Sequence, residues 1–367
     1  ELGAQDVEAF CRHHLLSEYD TRLTTWLVRH HLIMSTTAQR KDISDPEVIN
    51  TFATQVRDRT RLDYLYLLTV ADIRATSPNV WNSWKDALLA ELYHGTRHAL
   101  RRGLHNPLGE EELARETKQE ARRLLHEQGQ TDTAIDTLWQ RVDNDYFLRY
   151  STDEIAWHAH ALLKLTPEEV PLVLARQETH RGGTEIFIYA RVHDRLFALV
   201  TTALDQMGLD IADARIMPSR DGYTLDTYIV LDESGEPIAD PYRIREMQKG
   251  LHALLANPDS AVPPVRRHVA RQLKHFRIPT QVSFSDDLSK ERTIMEVVST
   301  DRPGLLANIG QAFADCEVRL QNAKIATFGE RVEDMFFITD SANRRLSRPE
   351  QFECLRRTIV RLLGAGT

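Results

Sequence analysis

Two hydrophobic rhythms divide the chain. Up to about residue 163, apolar side chains recur three and four positions apart, as in Leu23-Trp26-Leu27 and in Leu62-Leu65-Tyr66-Thr69-Val70. That period places them on one stripe of an α-helix. Ser44-Asp45-Pro46-Glu47 supplies a helix start, with a capping oxygen and a proline for the first turn. More polar helices are predicted over 110–127, 131–142 and 153–163, and no strand signal precedes Thr184. Beyond it the pattern changes to short apolar and β-branched runs broken by Gly and Asp, which predicts strands alternating with helices.

The second half is a tandem repeat. Residues 185–232 return, diverged, as 294–340. Leu196-Phe197-Ala198-Leu199-Val200 matches Leu305-Leu306-Ala307-Asn308-Ile309, and Ala214-Arg215-Ile216 matches Ala323-Lys324-Ile325. After one residue drops out, Asp226-Thr227-Tyr228-Ile229-Val230 matches Asp334-Met335-Phe336-Phe337-Ile338. Each copy reads as a strand, a helix, two strands joined by a turn (Arg220-Asp221-Gly222; Phe328-Gly329-Glu330) and a second helix. Right-handed crossover makes such a βαββα unit a sheet with both helices on one face. Two copies in one chain predict side-by-side pairing. Pro279-Thr280-Gln281-Val282-Ser283-Phe284 is expected to be the first copy's fourth strand, leaving the second copy's absent or borrowed. The fold class is therefore α+β and multi-domain, with an all-α N-terminal half followed by two ferredoxin-like βαββαβ domains.

At the second copy's strand-to-helix junction stands Thr300-Asp301-Arg302-Pro303-Gly304-Leu305-Leu306. Asp301 is suited to cap the helix, Pro303 to its first turn, and Gly304 to let a small anion such as an amino-acid carboxylate approach free backbone amides. The first copy has Val192-His193-Asp194-Arg195 in place of Asp301-Arg302-Pro303-Gly304, so its glycine is missing. In the helical half, imidazoles and basic groups gather in Arg29-His30-His31 through Arg40, and Asp72 places one carboxylate in an otherwise apolar helix. Burying it requires a partner. A bridge to Arg74 or Arg40 and a metal-ligand role both satisfy that need.

Composition narrows the function classes. A chain of 367 residues with net charge −8 is long enough for several domains and opposes non-specific nucleic-acid binding. Arg266-Arg267-His268 with Arg271 and Lys274 is its one notable basic run, read as a solvated linker. No apolar stretch approaches a membrane span, and the start carries neither a signal peptide nor a Met, which reads as a fragment of a cytoplasmic protein. Cys11, Cys316 and Cys354 have no metal spacing and form no even disulfide set, so they are expected to be small buried thiols. His13, His14, His30, His158 and His160 read as surface or core residues.

The Asp-Arg-Pro-Gly loop and its βαββα frame resemble the ACT domain, a regulatory module that binds amino acids at this loop against a neighbouring copy. Over the whole length the chain resembles the bifunctional PII uridylyltransferase/uridylyl-removing family. Trp26-Leu27-Val28-Arg29-His30-His31-Leu32, Leu68-Thr69-Val70-Ala71-Asp72-Ile73-Arg74, Arg181-Gly182-Gly183-Thr184 and Gly329-Glu330-Arg331-Val332-Glu333-Asp334 carry the likeness. The resemblance implies part of an HD-type phosphohydrolase domain (1–105), a helical linker (106–181) and two ACT domains (184–286 and 292–367). It further implies Mg²⁺ or Mn²⁺, PII protein as partner, and glutamine as effector. His31 and Asp72 would be later metal ligands, and glutamine would sit at Asp301, Arg302, Pro303, Gly304, Leu305 and Leu306 with Arg319 and Asn322 from the facing strand. No nucleotidyltransferase Gly-Ser motif occurs, Asp143-Asn144-Asp145 lacks its context, and His193-Asp194 is a decoy for the HD dyad. No complete catalytic set is therefore expected, nor metal-dependent hydrolysis by this chain. Rival readings are an amino-acid-binding module of another phosphohydrolase and a helical scaffold whose ACT pair only dimerises.

Overall fold

The computed structural model describes residues 1–76, 81–103, 109–177, 179–258, 278–287, 290–328 and 331–364. The turn residues Gly329 and Glu330, Pro263-Pro264 and the basic run at 266–274 lie outside them. The helical half comprises α1 (Leu2–His13), α2 (Glu18–His30), α3 (Ile33–Arg40), α4 (Pro46–Val56), α5 (Arg59–Thr76), α6 (Ser83–Arg102), α7 (Glu110–Glu127), α8 (Asp132–Trp139), α9 (Asn144–Arg149) and α10 (Thr152–Leu162). The start of α4 is as expected: the Asp45 side chain accepts from the Glu47 N–H, with Pro46 in the first turn. Ser151 and Glu154 close a capping box on α10.

The repeat half contains β1 (Leu172–Arg176), β2 (Thr184–Arg191), α11 (Leu196–Gln206), β3 (Asp210–Arg215), β4 (Tyr223–Leu231) and α12 (Pro241–Ala256). It continues through β5 (Gln281–Asp287), β6 (Arg292–Thr300), α13 (Leu305–Asp315), β7 (Arg319–Lys324), β8 (Thr327–Phe328), β9 (Arg331–Thr339) and α14 (Pro349–Gly364). One sheet runs through both copies in the order β1-β2-β4-β3-β7-β9-β6-β5. Side-by-side pairing is realised at its centre, where β3 and β7 run antiparallel with Ala214 opposite Ala323.

Two strand expectations are corrected. The strand at 281–287 pairs with β6 of the second copy, not with the first. The first copy's outer strand is β1, which pairs with β2 and lies before the expected start of strand signal. Each copy thus takes its fourth strand from the segment preceding it, and neither is missing one. A five-residue run such as Leu172-Val173-Leu174-Ala175-Arg176 is too short for its period to announce a strand.

Helices α11 to α14 cover one face of the sheet, with Ile186, Ile188, Val230, Ile309 and Phe336 at 0 % exposure in the shared core. The opposite face of the first copy is covered by the helical half. Phe187, Tyr189 and Leu225 pack among α7 to α10, and Ile229 and Leu231 among α3 to α6. Cover on both sides explains why Ile186-Phe187-Ile188-Tyr189-Ala190 is apolar without alternation. Each such side chain contributes roughly 1.5–3 kcal/mol by leaving water. Across the seam, Gly310 of α13 lies so close to α11 that a Cβ there would stand 2.9 Å from the Ala198 backbone.

Candidate functional site

Past the β3–β7 pairing, where the Ile216 N–H still donates to the Gln321 carbonyl, lies a cavity of about 710 Å³. Its walls come from three parts of the molecule: Val192, His193, Asp194 and Phe197 at the β2–α11 turn; Gly310, Phe313 and Arg319 of the second copy; and Asp145 and Arg149 of α9. The cavity sits at the first copy's strand-to-helix loop, facing the second copy's β7. The expected loop was the other one. His193-Asp194 lies on this wall, within the turn leading to α11.

Asp226 is the side chain that gives this wall its chemistry. It is 1 % exposed; Oδ1 accepts from the Thr224 hydroxyl, while Oδ2 has no hydrogen-bond partner. Burial pushes its pKa up to about 7, against the opposing hydrogen bonds from Thr224 and the Met217 N–H. A carboxyl in that state exchanges a proton readily for a cationic ligand. Arg319, exposed on the second copy, supplies a cation to the same cavity.

The second copy's loop is closed. Gly304 is the N-cap of α13 with φ +76°, a left-handed backbone that favours glycine, and no side chain caps the helix. Asp301 is therefore not the cap. The Gly304 N–H, expected to be free for a ligand, donates to Asp205 Oδ2 near the C-terminal end of α11. Arg302 and Pro303 are half-buried beside it, Gly304 and Leu305 are buried, and Leu306 packs on the shared core. A buried carboxyl equivalent to Asp226 stands below this loop as Asp334, whose pKa burial drives well up. The structure also separates Arg319 from Asn322. Asn322 is 0 % exposed in the seam opposite Arg215 and is absent from the cavity wall.

Sequence reasoning missed a layer of buried charge under the sheet. Asp213 Oδ1 accepts from Lys324 Nζ at 2.6 Å, and Asp213 Oδ2 lies 3.2 Å from Arg181 and 3.5 Å from Arg215. Arg181 Nε reaches Glu154 Oε1 at 2.7 Å. Asp42, after α3, pairs with Arg292 at 3.3 Å. Burial raises the Asp42 pKa but is outweighed by Arg149, Arg292, Lys324 and the Ser44 hydroxyl, which hold it well below the carboxylate range. Glu185 faces the other outcome: burial, reinforced by Glu154, pushes its pKa to about 8 despite Arg176 and Arg181. His158 is a core residue, stacked on Phe187 at 4.0 Å, with its pKa driven by burial down to about 3. Charges inside apolar strands, as in Thr184-Glu185-Ile186, were the available signal.

The family model described as "Uridylyltransferase GlnD fifth domain" matches residues 109–161. Curated relatives named bifunctional uridylyltransferase/uridylyl-removing enzyme match nearly end to end. The one from Stutzerimonas stutzeri is 51% identical over 367 residues, covering 99% of this chain and 41% of the relative. One from Pseudomonas putida is 50% identical over 370 residues, covering 100% and 41%. The chain belongs to this uridylyltransferase/uridylyl-removing family. It spans about 41% of the length of the curated relatives it matches.

Membership directs attention to His31 and Asp72. His31 is half-buried just after α2, its Nδ1 2.8 Å from the Val28 carbonyl. Asp72 is exposed on α5, contrary to the burial expected. The buried stripe of α5 runs along Leu62, Leu65 and Thr69, with Val70 and Ile73 partly covered, and Asp72 lies off it. The anticipated bridges do not form: Arg40 pairs with Glu296 and Glu333 of the second copy, and Arg74 stacks over Trp81. Among the described residues no group of three or more His, Cys, Asp or Glu is placed to hold a metal ion. One imidazole and one carboxylate are an incomplete donor set, so no hydrolytic step is derived through a metal. Among the same residues no helix is long and apolar enough to cross a membrane.

Proposed function

We propose that this chain is the effector-sensing portion of a cytoplasmic bifunctional uridylyltransferase/uridylyl-removing enzyme, and that free glutamine is its ligand. The names of the relatives support transfer and removal of uridylyl groups by the longer protein; its substrate would be the PII signalling protein. Mg²⁺ or Mn²⁺ would serve that protein, with His31 and Asp72 contributing two ligands to a site completed by residues outside this chain. The observation that carries the sensing proposal is the buried Asp226 carboxyl, its Oδ2 unpartnered, on the wall of the cavity that Arg319 also lines. An ammonium suits the first group and a carboxylate the second. The site therefore moves from the Asp301–Leu306 loop, where Asp205 takes the amide a ligand would use, to the first copy's turn.

A ligand there would touch α9, the first copy and the second copy together. Its different affinity for alternative arrangements of these parts is what would bias the two activities against each other. Titration calorimetry with glutamine tests the reading: binding is expected with the wild type and is expected to be at least tenfold weaker with Arg319→Ala and with Asp226→Asn. Unchanged affinity in both variants would place the ligand elsewhere.

A further inference from the structure

Cys316 and Cys354 form a disulfide, joining the end of α13 to α14 with Cα atoms 5.9 Å apart. This corrects the expectation of three buried thiols; among the three, Cys11 is the free and buried one. The bond's place matters more than its existence. Cys316 is 6 % exposed and caps α13, directly after the helix that carries Phe313 and one residue short of Val318 and Arg319. Those three residues line the cavity. Between them Glu317 adopts φ +54°, a left-handed backbone costly for a side chain. The disulfide thus ties the tight turn that forms one cavity wall to α14. Cys354, by contrast, is only half-buried.

We propose that Cys316 and Cys354 are a reversible thiol–disulfide site that tunes the ligand cavity, exchanging with a small-molecule disulfide of the glutathione class. The more accessible Cys354 thiolate attacks the small disulfide, forming a mixed disulfide and releasing one thiol. The Cys316 thiolate then attacks the Cys354 sulfur, closing the internal bond and releasing the second thiol. Two protein thiols are oxidised and one small disulfide is reduced to two thiols. In the bonded form the Thr358 hydroxyl lies 3.9 Å from the Cys316 sulfur, a polar neighbour for that thiol once the bond opens. Closing the bond fixes the turn in the shape that presents Arg319, so the oxidised chain binds the cavity's ligand more tightly by preorganisation.

The effect on glutamine rests on the cavity reading above; the exchange itself does not. The chain is equilibrated in glutathione buffers from fully reduced to fully oxidised, then denatured, alkylated and weighed. One transition between three reactive thiols and one is expected. Three thiols at every ratio, or one thiol even in fully reduced glutathione, would overturn the site. Amide exchange at 314–320 is expected to quicken at least about threefold on reduction, since a cross-link restricts opening. No change there would refute the tie to the cavity wall. Cys354→Ser, at the less buried position, is expected to match the reduced form at these amides, and a fully oxidised-like pattern in it would count equally against the proposal. Glutamine affinity is expected to fall on the order of threefold on reduction. An affinity independent of thiol state would overturn the tuning, while absence of glutamine binding in both states would fault the cavity reading and leave the exchange to be judged by mass and amide exchange.

Discussion

Asp205 of the first copy accepts a hydrogen bond from the backbone N–H of Gly304 in the second, an internal carboxylate where a ligand carboxylate would dock. The corresponding residue of the second copy, at the same step of an eleven-residue helix, is Ala314. One copy therefore stoppers its neighbour and the other has no side chain with which to reciprocate. We expect Asp205→Ala to raise glutamine stoichiometry from one to two per chain, and Ala314→Asp to abolish binding at the open cavity. Calorimetric stoichiometry checks both. A charge-assisted bond of this kind is worth about 1.5–3 kcal/mol, so Asp205→Ala should also lower the melting temperature.

Asp213 neutralises Lys324, Arg181 and Arg215 in a region where all four are at most 7 % exposed. Removing it takes the paired carboxylate from Lys324 and Arg215 and leaves Arg181 only Glu154, whereas removing Lys324 leaves Asp213 two partners. Asp213→Ala is predicted to cost about 3–5 kcal/mol, and Lys324→Met markedly less. Denaturation midpoints of the two variants should fall in that order.

The Asp226 pKa, raised from 3.8 to about 7, has a definite sign. Between those values the folded chain keeps a proton that the unfolded chain has released, so this group makes stability fall as pH rises, with no further loss above about 7. Asp226→Asn should flatten that part of the profile. A ligand ammonium needs the ionised form, so glutamine binding should strengthen as pH rises through 7 and should release protons at pH 6. Calorimetry in buffers of different ionisation enthalpy measures that release.

Gly182 has φ +67°, and a Cβ there would lie 2.0 Å from the Ser83 carbonyl oxygen at the start of α6. The Ser83 hydroxyl donates to the Gly182 carbonyl in return. Gly182→Ala is predicted to cost at least about 1–3 kcal/mol through backbone strain and to detach α6 from the first copy. Faster amide exchange at the first turn of α6 would report it.

Because the described residues assemble no metal site, chelator treatment is predicted to leave the melting temperature of this chain unchanged. A fall of several degrees would reveal a resident ion.

Periodicity and repetition along the chain determined the helical first half, the βαββα units and their pairing, because burial of one helical stripe or one strand face is a local property. The same local signals could not assign the outer strands: Gln281–Asp287 follows the first copy in sequence yet joins the second, and β1 is too short to stand out. The cysteine pair was likewise invisible, since Cys316 and Cys354 are 38 residues apart and meet only when α14 folds back on α13. Asp301-Arg302-Pro303-Gly304 has the chemistry of an amino-acid loop, but the sequence could not tell that the Gly304 amide donates to Asp205. Antiparallel docking of α11 on α13 decides which helix start faces an aspartate and which faces an alanine, a choice that exists only once distant segments are brought together.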